Sequence, residues 1–285
     1  MKFVHLAGGH PGFKAVYYDR QHCSLRPNLV LIGDDGSVVF ETNEVGLKGD
    51  RIDPKRKLAV VWGDSVVFGF GRGWPCLLDE KLPGYQFLNG GIEGDPYQNV
   101  LCRAGLFNER HPVALNLLML GWHVFTGSRV LRRRKYGRMA PLISRSSTPG
   151  GNESLDADLT RHLKQWPNTA VITMPTALNR VILDLPLSTY CIDGPDADQA
   201  FWLYGDRQRE VEIQREMFCY IVERNAITRE VCARLNIHVI DLFTALKTHN
   251  SSDFRENFAD VIHPRPRAYP MIAQFIYERI KDLLI

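Results

Sequence analysis

With 285 residues, of which 45% are hydrophobic and 24% charged, the chain is long enough to bury a full core, and its composition excludes a disordered protein. A formal net charge of +3 is too small for a nucleic-acid-binding protein, because such a partner requires a strongly basic face. No apolar run reaches the roughly 18 residues of a membrane span, and the N-terminus lacks the apolar core of a secretory signal. We expect a cytoplasmic protein without a nucleic-acid partner or a membrane span.

The cysteines have the spacing expected in a reducing compartment. They form no Cys-x-x-Cys pair, and no histidines stand beside them at zinc-ligand spacing. We therefore predict buried thiols and no metal site. The cysteines are Cys23, Cys76, Cys102, Cys191, Cys219 and Cys232.

Residues 1–56 have the pattern of a small β-rich appendage. The runs "NLVLI" and "SVVFET" flank "GDDG", and two runs of β-forming residues around an Asp-Gly turn favour a hairpin. We predict a domain boundary after residue 56, with the larger domain spanning residues 57–285.

From residue 57 onward, strand patterns alternate with helix patterns. Five near-continuous apolar runs are typical of parallel strands covered on both faces; they are "KLAVVWGD", "YQFLNGGI", "VALNLLMLGW", "NTAVITMPT" and "IHVIDLF". Apolar residues recur at helical spacing over residues 208–235 and again over residues 272–283. The alternation predicts an α/β fold, a doubly wound, flavodoxin-like parallel sheet with helices on both faces.

Reactive residue types follow these strands at their carboxyl ends, where doubly wound sheets bind their ligands. The first run ends in Gly63-Asp64-Ser65. Ser65 has two interpretations: it caps the helix that follows, or it is a nucleophile if a histidine and a carboxylate are brought to it. Asp64 is interpreted as a local structural acceptor, because a carboxylate beside the serine cannot easily also lie behind that histidine.

The second and third runs end in segments suited to bind a developing negative charge. In "NGGIEGD", Gly90, Gly91 and Gly94 permit close backbone approach to a ligand and leave amide N–H groups to donate. In "LGWHVF", His123 lies at the tip of the third strand. Both segments are expected at the same sheet edge as Ser65.

The segment "DVIHP" precedes the final helix pattern. The spacing between Asp260 and His263 allows the carboxylate to accept from one imidazole nitrogen while the other nitrogen faces outward, which makes the histidine a general base. The alternative is a surface aspartate and a histidine at a helix start. The order of serine, glycine-rich turn and histidine favours the catalytic interpretation.

These blocks resemble the SGNH hydrolases, also called GDSL esterases and lipases, over residues 57–285. "GDSV" resembles the block that carries the nucleophile, which implies Ser65, and "NGGIEGD" resembles the block whose last glycine, here Gly94, donates to the oxyanion. "DVIHP" resembles the terminal block with Asp260 and His263. The upstream "TNEVGLKG" is similar to a lead-in found before the serine strand in bacterial members.

One block departs from the family pattern. Family members carry Gly-x-Asn-Asp after the third strand, whereas this chain has "GWHV", with His123 at the position of the asparagine. A neutral imidazole has one N–H and can replace the amide donor. The alternative is an incomplete oxyanion hole in a catalytically weakened or purely binding protein.

The resemblance implies acyl transfer on a small-molecule or carbohydrate acyl ester, without a cofactor. His263 takes the proton of Ser65, Asp260 orients His263, and the amides of Ser65 and Gly94 together with His123 form the oxyanion hole. An O-acyltransferase on the same site is an alternative to a hydrolase. The sequence leaves the acyl group, the alcohol and the oligomeric state open.

Two further segments have two interpretations each. "SRVLRRRKYGR" is a solvated basic loop, or its Arg132, Arg133 and Arg134 attract an anionic substrate. The aromatic residues of "LPLSTYCIDGPDADQAFWLYGD" pack beneath a long loop, or they bind carbohydrate.

Overall fold

The structure of the chain is a computed structural model. The model describes residues 2–4, 18–19, 24–32, 36–69, 71–93, 95–121, 152–177, 207–246, 256–258 and 262–284.

Short strands form two small sheets in the N-terminal region. They are β1 (Lys2–Val4), β2 (Tyr18–Asp19), β3 (Ser24–Leu25), β4 (Val30–Ile32) and β5 (Val38–Glu41). Strand β4 pairs antiparallel with β5 and parallel with β1, while β2 and β3 form a separate antiparallel pair. The hairpin predicted from "NLVLI" and "SVVFET" is therefore confirmed.

The central sheet has five parallel strands, which confirms the predicted fold class. They are β6 (Lys57–Gly63), β7 (Tyr85–Gly91), β8 (Val113–Leu118), β9 (Thr169–Ile172) and β10 (His238–Ile240). The spatial order is β10-β9-β8-β6-β7, and all neighbouring pairs run parallel. Within this sheet, β6 is the first strand in sequence. Strand β7 lies on one side of it, and β8, β9 and β10 follow in order on the other side. The carboxyl end of β6 is therefore the topological switch point, where such sheets bind ligands.

The helices connect the strands and cover the sheet. They are α1 (Ser65–Phe68), α2 (Tyr97–Asn108), α3 (Asn152–Leu163), α4 (Arg207–Leu235), α5 (Leu242–Ala245) and α6 (Tyr269–Ile280), with short 3₁₀ helices at Trp74–Leu78, Pro266–Ala268 and Lys281–Leu283. The helices predicted over residues 208–235 and near the C-terminus are confirmed. None of the helices that the structure describes combines the length and apolar character required to cross a bilayer.

Among the described residues, two apolar layers cover the central sheet, one on each face. Strand β6 contributes to both because its side chains alternate: Ala59 and Val61 join the layer with Trp74 and Ile276, while Val60 and Trp62 join the other layer. The second layer includes residues of α2, α3 and α4. Burial on both faces explains why the strands read as continuous apolar runs.

Residues that follow β5 contact the edge of the central sheet. Lys48 forms an antiparallel bridge with Asn89 of β7, with N–H to O distances of 2.8 and 2.9 Å in the two directions. The Asn43 side chain shapes this segment, because its Oδ1 accepts from the backbone N–H groups of Val45 and Leu47. The domain boundary after residue 56 stays a prediction.

Candidate active site

Strand β6 ends in a tight turn that carries Ser65. Asp64 precedes α1, and its Oδ1 accepts a hydrogen bond from the backbone N–H of Val66 at 3.0 Å. Asp64 is therefore the N-cap of α1 and satisfies an amide that has no partner within the helix. This confirms the structural role predicted for Asp64. Ser65 is the first helical residue, so the interpretation of Ser65 as the cap is wrong.

The Ser65 hydroxyl contacts a histidine from the far end of the chain. The distance from Ser65 Oγ to His263 Nε2 is 2.7 Å across 198 positions of sequence, which is hydrogen-bond length. Ser65 is buried and His263 is half-buried. An unprotonated Nε2 in this position can take the hydroxyl proton, which is the geometry that activates a serine.

Contacts fix the chain both before and after His263 in sequence. Ile262 is fully buried in the apolar layer, and Pro264 forms a β-bridge with Phe258. Arg265 extends the connection, because its backbone N–H donates to the Asn257 carbonyl at 2.8 Å and its Nε donates to the Phe258 carbonyl at 2.9 Å. These contacts fix the backbone before and after His263, whose ring lies beside Ser65 of α1.

Two glycines allow the Ser65 turn to lie close to its neighbours. A Cβ on Gly91 would lie 2.2 Å from the backbone nitrogen of Phe68, and one on Gly121 would lie 1.7 Å from Asp64 Oδ2. The prediction that Gly91 leaves an amide for a ligand is wrong, because that amide donates to Asn89 Oδ1 at 2.9 Å. The absence of a side chain at Gly91 serves the seating of α1 instead.

Solved structures share this fold, although no family model and no curated protein matches the sequence. A lipase/acylhydrolase from Enterococcus faecalis has a TM-score of 0.52 and 17% identity, with 80% of this chain and 97% of that chain covered. A member of the lipolytic G-D-S-L family from Veillonella parvula has a TM-score of 0.50 and 16% identity, with coverages of 79% and 98%. A GDSL-like lipase from Bacteroides thetaiotaomicron has a TM-score of 0.51 and 12% identity, with coverages of 82% and 92%.

The chain has the fold of the GDSL lipases and acylhydrolases. The resemblance to the SGNH or GDSL hydrolases expected from the ordered sequence blocks is thus confirmed at the level of the fold. In this GDSL fold the serine of the "GDSV" block lies at the switch point of the sheet, and the histidine of the "DVIHP" block lies beside it.

Several predicted site residues lie outside the described residues. They are Gly94, His123, Arg132, Arg133, Arg134 and Asp260. Among the described residues near Gly94, His123 and Asp260 in sequence, Asp95 and Leu120 are buried, and Ile262 is fully buried. The roles of the six residues stay predictions.

Arg103 lies at the carboxyl ends of β6 and β7, beside the Ser65 turn, and the sequence interpretation missed it. Its side chain is 3% exposed and forms an ion pair with the fully buried Asp95. Its Nη2 also donates to the Gly63 carbonyl at 3.2 Å and to the Gly90 carbonyl at 3.0 Å. Arg103 therefore ties the carboxyl ends of β6 and β7 to the segment after the glycine-rich block.

Arg224 is a second buried cation near the same edge. Its Nε donates to the Leu120 carbonyl at 3.2 Å, and its Nη1 donates to the Tyr220 hydroxyl at 2.6 Å. Burial lowers the pKa of the Arg224 guanidinium, while Tyr220, Tyr97 and the Asp64 carboxylate act in the opposite direction. The Asp64 carboxylate thus interacts electrostatically with Arg224 and also accepts a hydrogen bond in the first turn of α1.

Proposed function

We propose that the chain is a serine ester hydrolase that cleaves an acyl ester through a triad of Ser65, His263 and Asp260 and an acyl-enzyme intermediate. The observation that carries the proposal is the 2.7 Å contact between Ser65 Oγ and His263 Nε2 at the switch point of the sheet. The fold is shared with proteins named as lipases and acylhydrolases, which adds support.

In the first half of the reaction, His263 Nε2 takes the proton of Ser65 Oγ as that oxygen bonds to the ester carbonyl carbon. The carbonyl electrons move to the oxygen and form a tetrahedral oxyanion. When this intermediate collapses, the bond from carbon to the alcohol oxygen breaks and the alcohol leaves with the proton held by His263. The acyl group stays on Ser65. Asp260 would orient the imidazole and stabilise its charged form.

The oxyanion requires donors that point to it before the reaction starts. We assign this role to the backbone N–H groups of Ser65 and Gly94 and to the His123 ring. The position of Ser65 at the start of α1 supports its part, because the first amides of a helix have no carbonyl partner within it.

In the second half, water attacks the acyl-enzyme and gives its proton to His263. The bond from carbon to Ser65 Oγ breaks, Oγ regains the proton, and the acid leaves. An acceptor alcohol in place of water would make the protein an O-acyltransferase. The substrate class we assign is a small-molecule or carbohydrate acyl ester, and analysis of the products with and without added alcohols separates hydrolysis from transfer.

A fluorophosphonate probe tests the proposal directly, because it phosphonylates an activated serine. We expect labelling of the wild-type protein at Ser65, located by mass spectrometry of the labelled peptide, and none in Ser65→Ala. Ser37→Ala is the matched control because Ser37 is exposed immediately before β5, and its labelling should equal that of the wild type. A folded wild-type protein that resists the probe would favour a binding protein on a hydrolase fold.

A further inference from the structure

Lys48 is a buried lysine whose ammonium lies at the carboxyl end of α1, the helix that begins with Ser65. The residue is 1% exposed. Its Nζ donates to the Phe68 carbonyl at 2.5 Å and lies 3.4 Å from the Gly69 carbonyl. The same Nζ lies 3.7 Å from the centre of the Phe68 ring, which allows a cation–π contact.

Asn89 approaches the same helix end from the adjacent strand. Its Nδ2 lies 3.0 Å from the Val67 carbonyl, 3.2 Å from the Phe68 carbonyl and 2.9 Å from the Arg72 carbonyl. Because Asn89 and Lys48 are paired through their backbones, one bridge presents two side-chain donors to the end of α1.

The end of α1 is one helical turn from the nucleophile. The backbone N–H of Gly69 donates to the Ser65 carbonyl at 3.0 Å, and that of Phe68 donates to the Asp64 carbonyl at 2.8 Å. A helix of this length has no stability of its own, since nucleation is unfavourable and its last carbonyls lack helical partners. The position of Ser65 therefore depends on groups that hold the helix from outside.

We propose that Lys48 is a positioning residue for Ser65, whose ammonium holds the carboxyl end of α1 through the Phe68 and Gly69 carbonyls and so keeps Ser65 Oγ at its distance from His263. The role of Ser65 as nucleophile rests on the proposed function. Lys48 does not touch the reacting atoms and acts through α1.

The surroundings of Lys48 make its charge sensitive to pH. Burial lowers the pKa of Lys48 from 10.5 to about 7, with a weaker opposing effect from Cys76. Burial raises the pKa of the Cys76 thiol to about 11, so this neighbour is uncharged at neutral pH. The charged groups that act on the Cys76 thiol besides Lys48 are Arg72, Asp79 and Asp50, and Arg72 and Asp50 pair with each other at 2.8 Å. The described residues provide no carboxylate within ion-pair distance of Lys48.

The test measures inactivation by a fluorophosphonate in the full-length protein, separating the rate constant at saturation from the concentration for half-saturation. Lys48→Met should lower the rate constant by about 10- to 100-fold, since a small misplacement of a reacting group has effects of this size, with little change in the half-saturating concentration. Lys57→Met is the matched control, because Lys57 is exposed at the amino end of β6, and it should react like the wild type.

The pH profile distinguishes positioning from general support of the fold. In the wild type, the inactivation rate should fall with an apparent pKa near the value of about 7 given by Lys48, as the ammonium becomes a weaker donor. Lys48→Arg keeps its charge over this range and should lose that alkaline fall. An unchanged alkaline fall in folded Lys48→Arg, or a wild-type rate in Lys48→Met, overturns the proposal.

Hydrogen exchange provides a measurement that needs no catalysis. In the folded protein, the amides of Phe68 and Gly69 should exchange faster in Lys48→Met than in the wild type, while those of α2 stay unchanged. Faster exchange in a protein that the probe does not label would support Lys48 as the anchor of α1 and refute only the hydrolase proposal. Unchanged exchange with normal labelling would refute the positioning role alone.

Discussion

Arg103 and Lys48 are buried cations on two sides of the Ser65 turn, and different groups offset the loss of hydration of their charges. Arg103 has a buried carboxylate partner in Asp95 and also donates to two strand-end carbonyls. Lys48 has neutral carbonyls and aromatic rings around it. A buried charge with a well-placed counter-charge is tolerated, whereas one that meets only dipoles favours its neutral form. The charge on the Lys48 ammonium should therefore depend on pH near neutrality.

The largest expected effect comes from the residues that both sides hold in place. Ser65→Ala or His263→Ala should lower kcat for a small activated ester by about 10⁴-fold or more, because nucleophile and base act as a unit. The double variant should lose no more than either single variant. Circular dichroism should show a retained fold. Substantial turnover by purified Ser65→Ala, above a blank preparation, would remove Ser65 as the nucleophile.

Loss of Arg103 should break the buried ion pair with Asp95 and lower the stability of the protein. Arg103→Met leaves Asp95 buried without its partner, and breaking a buried pair in this way typically destabilises a protein by about 3–5 kcal/mol. Urea unfolding should show this loss as a lower midpoint. Arg103→Met combined with Asp95→Asn should recover part of it, because the orphaned charge is then removed. Equal stability of the single and double variants would mean that the ion pair is not what Arg103 contributes.

The sequence predicted the parts of the site that depend on strand order. The carboxyl ends of parallel strands meet at one edge, so the segments containing Ser65 and His263 could be expected to meet there. Arg103 and Arg224 were missed as elements of the site, because their acceptors are mainly backbone carbonyls distant in sequence. Lys48 belongs to the block "TNEVGLKG", but no role was predicted for it, because its carbonyl acceptors also lie far away in sequence. Arg103 does interrupt a buried apolar stripe that includes Val100 and Phe107, which was the available signal.

The glycine-rich block shows the opposite error. Gly90 and Gly91 were interpreted as facing a ligand, but a Cβ on Gly90 would meet the Trp62 ring at 2.5 Å and one on Gly91 would meet the backbone of α1. Both close approaches involve partners that no local pattern identifies. Glycines at the end of a strand therefore indicated a close approach correctly, while the identity of the approaching group depended on tertiary structure.

The burial of Lys48 should make the free energy of unfolding depend on pH. The folded protein holds Lys48 with a pKa of about 7, against 10.5 without burial, so between these values the unfolded chain binds more protons. The free energy of unfolding should therefore rise with pH across this window because of Lys48. The difference between wild type and Lys48→Met, from urea unfolding at several pH values, should show the rise. The difference between wild type and the double variant Arg103→Met, Asp95→Asn should be flat, because the variant has no ionisable group at either position and a guanidinium keeps its proton over this range.

The smallest effect is expected at an exposed ion pair, which tests whether the stability lost in Arg103→Met depends on the burial of the pair. Arg234 of α4 and Asp156 of α3 lie 2.7 Å apart, with side chains 52% and 49% exposed. Water already solvates both charges, so loss of one partner leaves no desolvated charge behind. Arg234→Met, the same substitution as at Arg103, should lower the unfolding midpoint by only a small fraction of the Arg103→Met change. That small difference should shrink further in 1 M NaCl, where the Debye length is about 3 Å, whereas the Arg103→Met loss should persist. If Arg234→Met is as destabilising as Arg103→Met at both salt concentrations, burial of the ion pair does not explain the stability that Arg103 contributes.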